Sequence, residues 1–267
     1  MTDARFDFRF EIDADGVATL TLDRPETLNT LTFAIYAQLE KLFVDIEVDA
    51  RVRCVVLTGA GRGFCSGGNV EEIIKPLLAR DLAQTLQFTR MTGAVVRHMR
   101  RLSKPILAAI NGVAAGAGTV LALASDLRIL SDKASFAFLF SKVGLTGADM
   151  GAAYLLPKVI GMGRASELLL LGDKVDAHEC YRIGLANKVV PADKLREETL
   201  AWARRLAKGP TLAHALTKRL LLHESHMDLD AAIEQEAQAQ ALLLRAHDHA
   251  EFYRAWSEKR EPRFEGR

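Results

Sequence analysis

Twice in this chain a short apolar run, rich in β-branched residues, ends in a cluster of glycines. Val52 to Thr58 leads into Gly59 to Gly68. Pro105 to Ile110 leads into Asn111-Gly112-Val113-Ala114-Ala115-Gly116-Ala117-Gly118. Runs of this kind are strands buried on both faces, which belong to parallel sheets covered by helices. Glycine lets the chain turn sharply off a strand end through positive φ, and lets backbone approach a ligand closely. Two such turns can aim two backbone N–H groups at one point, and a helix starting near Gly116 adds its positive end. That arrangement is an oxyanion hole. The competing reading is two tight turns with no chemistry. Nucleotide readings are set aside, because Gly59-Ala60-Gly61-Arg62-Gly63 is not GxGxxG and no Gly-Lys-Ser/Thr occurs.

The rest of the chain extends the same pattern. Phe6 to Asp13 and Val17 to Asp23 alternate apolar and polar around Asp15-Gly16, which predicts a hairpin. Thr32 to Glu47 has helical spacing, with Ile35, Leu39, Leu42, Phe43 and Ile46 on one face. A helix is expected over 81–101 and a third buried strand over Asp126 to Leu130. Strand, turn and helix in repetition predict an α/β fold. After about Val190 the reading is helical, with helices over Leu195–Ala207, Leu212–His223, Leu229–Leu244 and Ala246–Trp256. The expected division is a core over 1–190 and a helical region over 191–267 that packs on the core or on another subunit.

Composition mainly excludes. Lysine plus arginine number 35 and aspartate plus glutamate 34, a net of +1, so the chain lacks the overall basic surface of a nucleic-acid binder. Cys54, Cys65 and Cys180 are too scattered for a disulfide framework or a zinc site. His223 and His226, like His247 and His249, lack partners at metal spacing, and no metal is expected. The apolar stretch from Pro105 to Ala124 is broken by Asn111 and by three glycines, so no membrane span is expected. Met1 to Asp7 has no apolar core of a leader, and the expected compartment is cytoplasmic.

Taken together, the motifs resemble the crotonase superfamily, the enoyl-CoA hydratases and isomerases. The resemblance rests on Leu22-Asp23-Arg24-Pro25-Glu26-Thr27-Leu28-Asn29-Thr30-Leu31, on Val55-Val56-Leu57-Thr58-Gly59 followed by Phe64-Cys65-Ser66-Gly67-Gly68-Asn69, and on Ala109 through Gly118. Ser125-Asp126-Leu127-Arg128-Ile129, Leu155-Leu156-Pro157, Gly184-Leu185-Ala186 and Val189-Val190-Pro191 follow in order. The resemblance implies a spiral of β-β-α units with a helical C-terminal trimerisation region, assembled as a homotrimer or a dimer of trimers. It implies an acyl-CoA thioester as substrate and no separate cofactor, coenzyme A being part of the substrate.

Carried over residue by residue, the oxyanion donors are the N–H groups of Gly68 and Ala117. Thr27, Leu28, Ser66 and Asn69 fall where the substrate is lined. Phe252, Trp256 and Lys259 fall on a final helix that can reach coenzyme A. Core packing is the simpler reading for Trp256, and a solvated cation the simpler one for Lys259. Some family members bind RNA through a lysine-rich first helix. Here that helix carries only Lys41 against Glu40, Asp45 and Glu47.

The chain departs from the family at its acids. The two glutamates of the hydratases should stand at positions occupied here by Val120 and Phe140, and neither residue can exchange a proton. Both are expected to line the substrate pocket instead. Asp149 falls at the aspartate of dienoyl-CoA isomerases and of 4-chlorobenzoyl-CoA dehalogenases. The segments Asn111–Gly118 and Phe140–Leu145 also resemble the ring-opening isomerases of phenylacetate breakdown. Asp149 is therefore an acid/base candidate for double-bond isomerisation, or a helix N-cap if a helix starts at Met150. Hydration by a non-standard group, hydrolysis or dehalogenation with Asp149 as nucleophile, and a catalytically dead binding subunit stay open. Glu71 and Glu72 are expected to be exposed. Cys65 is expected to be a small buried residue rather than a nucleophile.

Overall fold

Gly16 turns the chain at φ +80. Strands β1 (Phe8–Ile12) and β2 (Val17–Leu22) pair antiparallel on either side of it. In the computed structural model, which describes residues 6–267, this hairpin forms one edge of a six-stranded sheet of order β1-β2-β3-β5-β7-β10. The strands β3 (Cys54–Gly59), β5 (Ile106–Ile110), β7 (Leu127–Ser131) and β10 (Lys188–Val190) run parallel to β2. Every residue of β5 is buried, as a strand covered on both faces requires.

Alternation along these strands divides the interior in two. Val55, Leu57, Ile106 and Ala108 face a core shared with α1 (Phe33–Val48) and α3 (Leu82–Arg101). Cys54, Val56, Leu107 and Ala109 face the other way, onto Leu195, Ala203 and Ala207 of α8 (Leu195–Lys208). The period of two along a strand places successive side chains on opposite faces, so one apolar run serves two cores. Helix starts are built locally. Thr32 accepts the Ile35 N–H at 3.2 Å, and Asp81 and Gln84 cap α3 reciprocally.

A second, smaller sheet holds the glycine segments. Its order is β4 (Gly63–Cys65), β6 (Val113–Ala115), β8 (Ser135–Ala137) and β9 (Val175–Asp176). β4 and β6 run parallel, Gly63 opposite Val113 and Cys65 opposite Ala114, with a register shift between. The two glycine segments are thus partly strand rather than turn throughout. From β6 the chain enters α4 (Ala117–Ala124). Arg128 closes the far end of α4, donating to the carbonyls of Ser125 at 2.6 Å and Ala122 at 3.4 Å.

Further on come α5 (Ala152–Ile160), α6 (Met162–Leu171) and α7 (Ala177–Arg182). After α8 come α9 (Thr211–His223), α10 (Leu229–Leu244) and α11 (His247–Ser257). No described helix is long and apolar enough to cross a membrane. The opening residues 1–5, where no leader is expected, lie outside the described part.

Candidate active site

The two glycine segments meet. Leu31 bridges Gly68 in parallel, its N–H donating to the Gly67 carbonyl at 2.8 Å, while the Asn69 N–H donates to the Leu31 carbonyl at 2.9 Å. This pattern uses the groups on either side of Gly68 and leaves its own N–H outside the ladder. On the second segment, Gly116 takes φ +50 and its N–H donates to the Ala137 carbonyl at 3.0 Å. Ala117 then opens α4, where a first-turn N–H has no partner within the helix. Neither the Gly68 nor the Ala117 N–H has an acceptor among the described residues.

Absent side chains make this contact possible. A Cβ on Gly67, which sits at φ +99, would lie 3.1 Å from the Ala115 carbonyl oxygen and 3.5 Å from the Ala117 nitrogen. A Cβ on Gly118 would lie 2.1 Å from the Cys65 carbonyl oxygen. Both segments therefore touch backbone to backbone, as only glycine permits.

The segment expected to line the substrate lies beside the first turn. Thr27 and Leu28 are half-buried, Leu28 at φ +56. The Ser66 N–H donates to the Leu28 carbonyl at 3.0 Å, and its hydroxyl to the Thr27 carbonyl at 3.1 Å. The Asn69 amide donates to the Thr30 hydroxyl at 3.1 Å. Its oxygen accepts from the N–H groups of Glu71 and Glu72. Those bonds start a π-helical turn, Val70–Ile74, that runs into α2 (Lys75–Leu77). Glu71 and Glu72 are exposed. Glu71 pairs with Lys75 at 2.9 Å and Glu72 with Arg24 at 2.6 Å. Their exposure agrees with the reading from sequence.

Asn29 is a residue that the sequence reading passed over. Its side chain is buried, donating to the carbonyls of Ala60 at 2.9 Å and Gly63 at 2.8 Å and accepting the Arg24 N–H at 2.9 Å. It ties the segment around Thr27 and Leu28 to the first turn. The available signal was its short amide side chain, which tolerates the left-handed φ of +59 found here.

Val120 is fully buried in α4 and Phe140 is 8% exposed, both in the core that contains Ala117. Asp149 is half-buried. Its carboxylate accepts the Met150 N–H at 2.9 Å, and its carbonyl accepts the Ala152 N–H at 2.8 Å. The helix begins at Ala152 rather than Met150, and Gly151 at φ +93 stands at its N-cap. The expectation of Asp149 as the cap is therefore corrected. The positive φ of both Met150 and Gly151 delays the helix, and no side chain caps it. Burial raises the Asp149 pKa above its ordinary value, with the Met150 N–H pulling the other way. The Cys65 thiol is buried and pushed up to about 12 by desolvation, so it is no nucleophile at neutral pH.

Tyr36 also escaped the sequence reading. It lies on the inner face of α1, 3% exposed, its ring edge-on to Phe88 at 5.8 Å. Its hydroxyl lies 4.0 Å from the Met150 sulfur. Burial pushes the phenol well above its ordinary pKa, and the fields of Cys65 and Asp149 push in the same direction. Tyr36 thus stands within electrostatic reach of both the first glycine turn and Asp149.

Lys259 is not brought to this place. It follows α11, exposed, with φ +54, and α11 packs on α10. Trp256 on the same helix is 70% exposed. The expectation that it packs in the core of this chain is corrected. The helix turns its other side inward, through Asp248, Glu251 and Ala255.

The enoyl-CoA hydratase/isomerase family model matches residues 13–267. The chain is 39% identical over 254 residues to the 1,2-epoxyphenylacetyl-CoA isomerase of Escherichia coli K12, covering 94% of this chain and 96% of that protein. It is also 39% identical over 236 residues to the probable enoyl-CoA hydratase EchA12 of Mycobacterium tuberculosis H37Rv, covering 85% and 79%. The crystal structure of a putative enoyl-CoA hydratase from Streptomyces coelicolor A3(2) superposes with a TM-score of 0.96 at 53% identity. That match covers 100% of this chain and 97% of that one.

Proposed function

The chain belongs to the enoyl-CoA hydratase/isomerase family, and on that premise we propose that it shifts a double bond in an unsaturated acyl-CoA. Asp149 would move the proton, and the N–H groups of Gly68 and Ala117 would hold the thioester oxygen. The observation that carries this reading is the placement of acids. Positions 120 and 140 hold buried apolar side chains, while Asp149 offers a half-buried carboxylate.

The chemistry follows from charge. Removing a proton from the acyl chain turns the thioester carbonyl into an enolate, whose oxygen gains negative charge. Donors placed at that oxygen bind the transition state more strongly than the substrate, which is what accelerates the step. One such donor is worth about 3–4 kcal/mol. The ionised Asp149 takes the proton from one carbon and returns it to another. Its raised pKa brings donor and acceptor strengths closer to balance at neutral pH. Both donors are main-chain groups, so they do not depend on side-chain identity, although residue 117 must stay small.

Thr27, Leu28, Ser66 and Asn69 would contact the coenzyme A end, and Val120 and Phe140 the acyl end. No cofactor beyond the substrate's own coenzyme A is invoked. Within one chain Lys259 stands apart from the turns, so as a coenzyme A contact it would serve a neighbouring copy in a homotrimer or dimer of trimers.

Hydration is the second reading, supported by relatives that carry hydratase names. Incubation with crotonyl-CoA and with β,γ-unsaturated CoA esters separates the two, because water addition raises product mass and isomerisation does not. A hydrolytic or dehalogenating use of Asp149 would release free acid or halide in the same assay. Asp149→Ala should lower the isomerase rate by about 10²–10⁴-fold. Full activity in that variant removes Asp149 from the mechanism, and failure of any thioester to bind removes the function itself.

A further inference from the structure

Thr119 carries the only polar side chain of α4, in the run Ala-Gly-Thr-Val-Leu-Ala-Leu-Ala, and it is fully buried. Valine has nearly the same shape and would need no partner there. The hydroxyl has one. It donates to the Gly116 carbonyl at 2.5 Å, which also accepts the Thr119 N–H at 3.0 Å. A threonine can bond the carbonyl three residues back in any helix. What singles this bond out is the peptide on which it lands. The Gly116 oxygen and the Ala117 N–H belong to one peptide unit, and that N–H has no acceptor among the described residues.

A trans peptide is planar, and its C=O and N–H point in opposite directions. A donor that grips the oxygen therefore fixes where the N–H points. It also polarises the unit, strengthening the bond that the N–H goes on to make by about 10–30%. The first glycine turn is built alike. The Gly67 oxygen accepts the Leu31 N–H at 2.8 Å, and the other end of that peptide is the Gly68 N–H, which is also without an acceptor among the described residues. Main chain alone supplies the grip at Gly67, and at Gly116 a side chain adds to it.

We propose that Thr119 is a positioning residue, whose hydroxyl aims and polarises the Ala117 N–H for the thioester oxygen. This inference rests on the acyl-CoA reading given above. The test follows the isotope-labelled carbonyl of bound hexanoyl-CoA by infrared difference spectroscopy. This saturated ester has no double bond to move, so the band reports polarisation without turnover. It is measured in wild type, in Thr119→Val, and in the pair Thr119→Ser and Thr119→Ala. That pair loses the same methyl group and differs only in the hydroxyl.

Wild type should lower the carbonyl frequency relative to free ester, Thr119→Val should lower it less, and Thr119→Ser should lower it more than Thr119→Ala. With a β,γ-unsaturated ester, Thr119→Val should lose about two- to eightfold in kcat at unchanged KM, because polarisation counts most once the oxygen is charged. Equal bands in wild type and Thr119→Val overturn the proposal. So does a Thr119→Ser band that stands where that of Thr119→Ala does, which would assign the effect to packing. Should Thr119→Val not fold, the Ser and Ala pair decides alone. A wild type that binds the ester without lowering its band overturns the oxyanion reading, and one that binds no ester overturns the thioester reading; this inference falls with either.

Discussion

Burial works against the ionised form of Asp149, and that has two measurable signs. As the proposed base it must be charged, so activity falls on the acid side through a pKa raised above the ordinary 3.8. The acid limb of kcat/KM should therefore lie above the usual aspartate range, and a limb at or below it would exclude Asp149. The stability term follows the same shift. The folded pKa exceeds the unfolded one, so this group opposes folding once ionised. The penalty is absent below the unfolded value and grows as pH rises through the window between the two. Asp149→Asn should thus be inactive yet melt no lower than wild type at neutral pH, as a thermal scan would read. Gly118→Ala should do the reverse of a silent change. Its Cβ meets a backbone oxygen that cannot step aside, and the expected destabilisation is about 1–3 kcal/mol with loss of activity. At this scale the sequence was legible where residue type answers to geometry. Gly67 and Gly118 announce close backbone contact. Tyr36 was not legible, because an apolar helical stripe does not say which distant residue its hydroxyl will meet, here the Met150 sulfur. The helix start after Asp149 was misplaced because positive φ at a methionine has no signal in residue type.

Long elements were readable and short ones were not. The Asp15-Gly16 hairpin, α1 from Thr32 and the C-terminal helices follow from period and caps over many residues. β4, β6 and β8 have three residues each, too few for any period to show, and they exist because neighbouring strands complete their bonds. Asn29 links two such weakly signalled pieces. Asn29→Ala would strand the Ala60 carbonyl and the Arg24 N–H, the Gly63 carbonyl keeping its second donor Asn111 at 2.9 Å, and a denaturant midpoint should report a loss of about 1–3 kcal/mol. An unchanged midpoint would show that the brace is dispensable. The tail after α11 is fastened by charge. Glu251 accepts from Arg260 at 2.6 Å and from the Arg263 N–H at 2.9 Å, and its pKa falls from the ordinary 4.5 to about 2, Arg260 contributing most. Folded below unfolded means that this stabilisation is complete above 4.5 and is lost as pH falls from there towards about 2. Amide exchange at Arg263 should accelerate through that window, and Glu251→Gln should exchange fast throughout.

Across the molecule, large apolar side chains on the last helices lie open in a single chain. Leu221, Leu229 and Trp256 are 69%, 73% and 70% exposed. Exposed side chains of this size are what an interface between copies would cover. Ultracentrifugation should give three or six times the chain mass, and Trp256→Glu should shift it towards monomer if that face is buried between copies. The family was readable from ordered motifs over most of the chain, whereas which side chains of distant elements pack together is decided by the fold, and sequence order does not express that convergence. α4 carries one further implication. Its first turn is seated on Cys65 through Gly118, and its last carbonyls are gripped by Arg128. A helix clamped at both ends has little room to tilt. If Ala117 polarises the thioester as proposed, the orienting work is finished when the chain folds and is not repeated at each turnover. Haste or delay in the catalytic cycle then belongs to the proton's transfer and to the substrate's coming and going, while the polariser itself stands outside the clock.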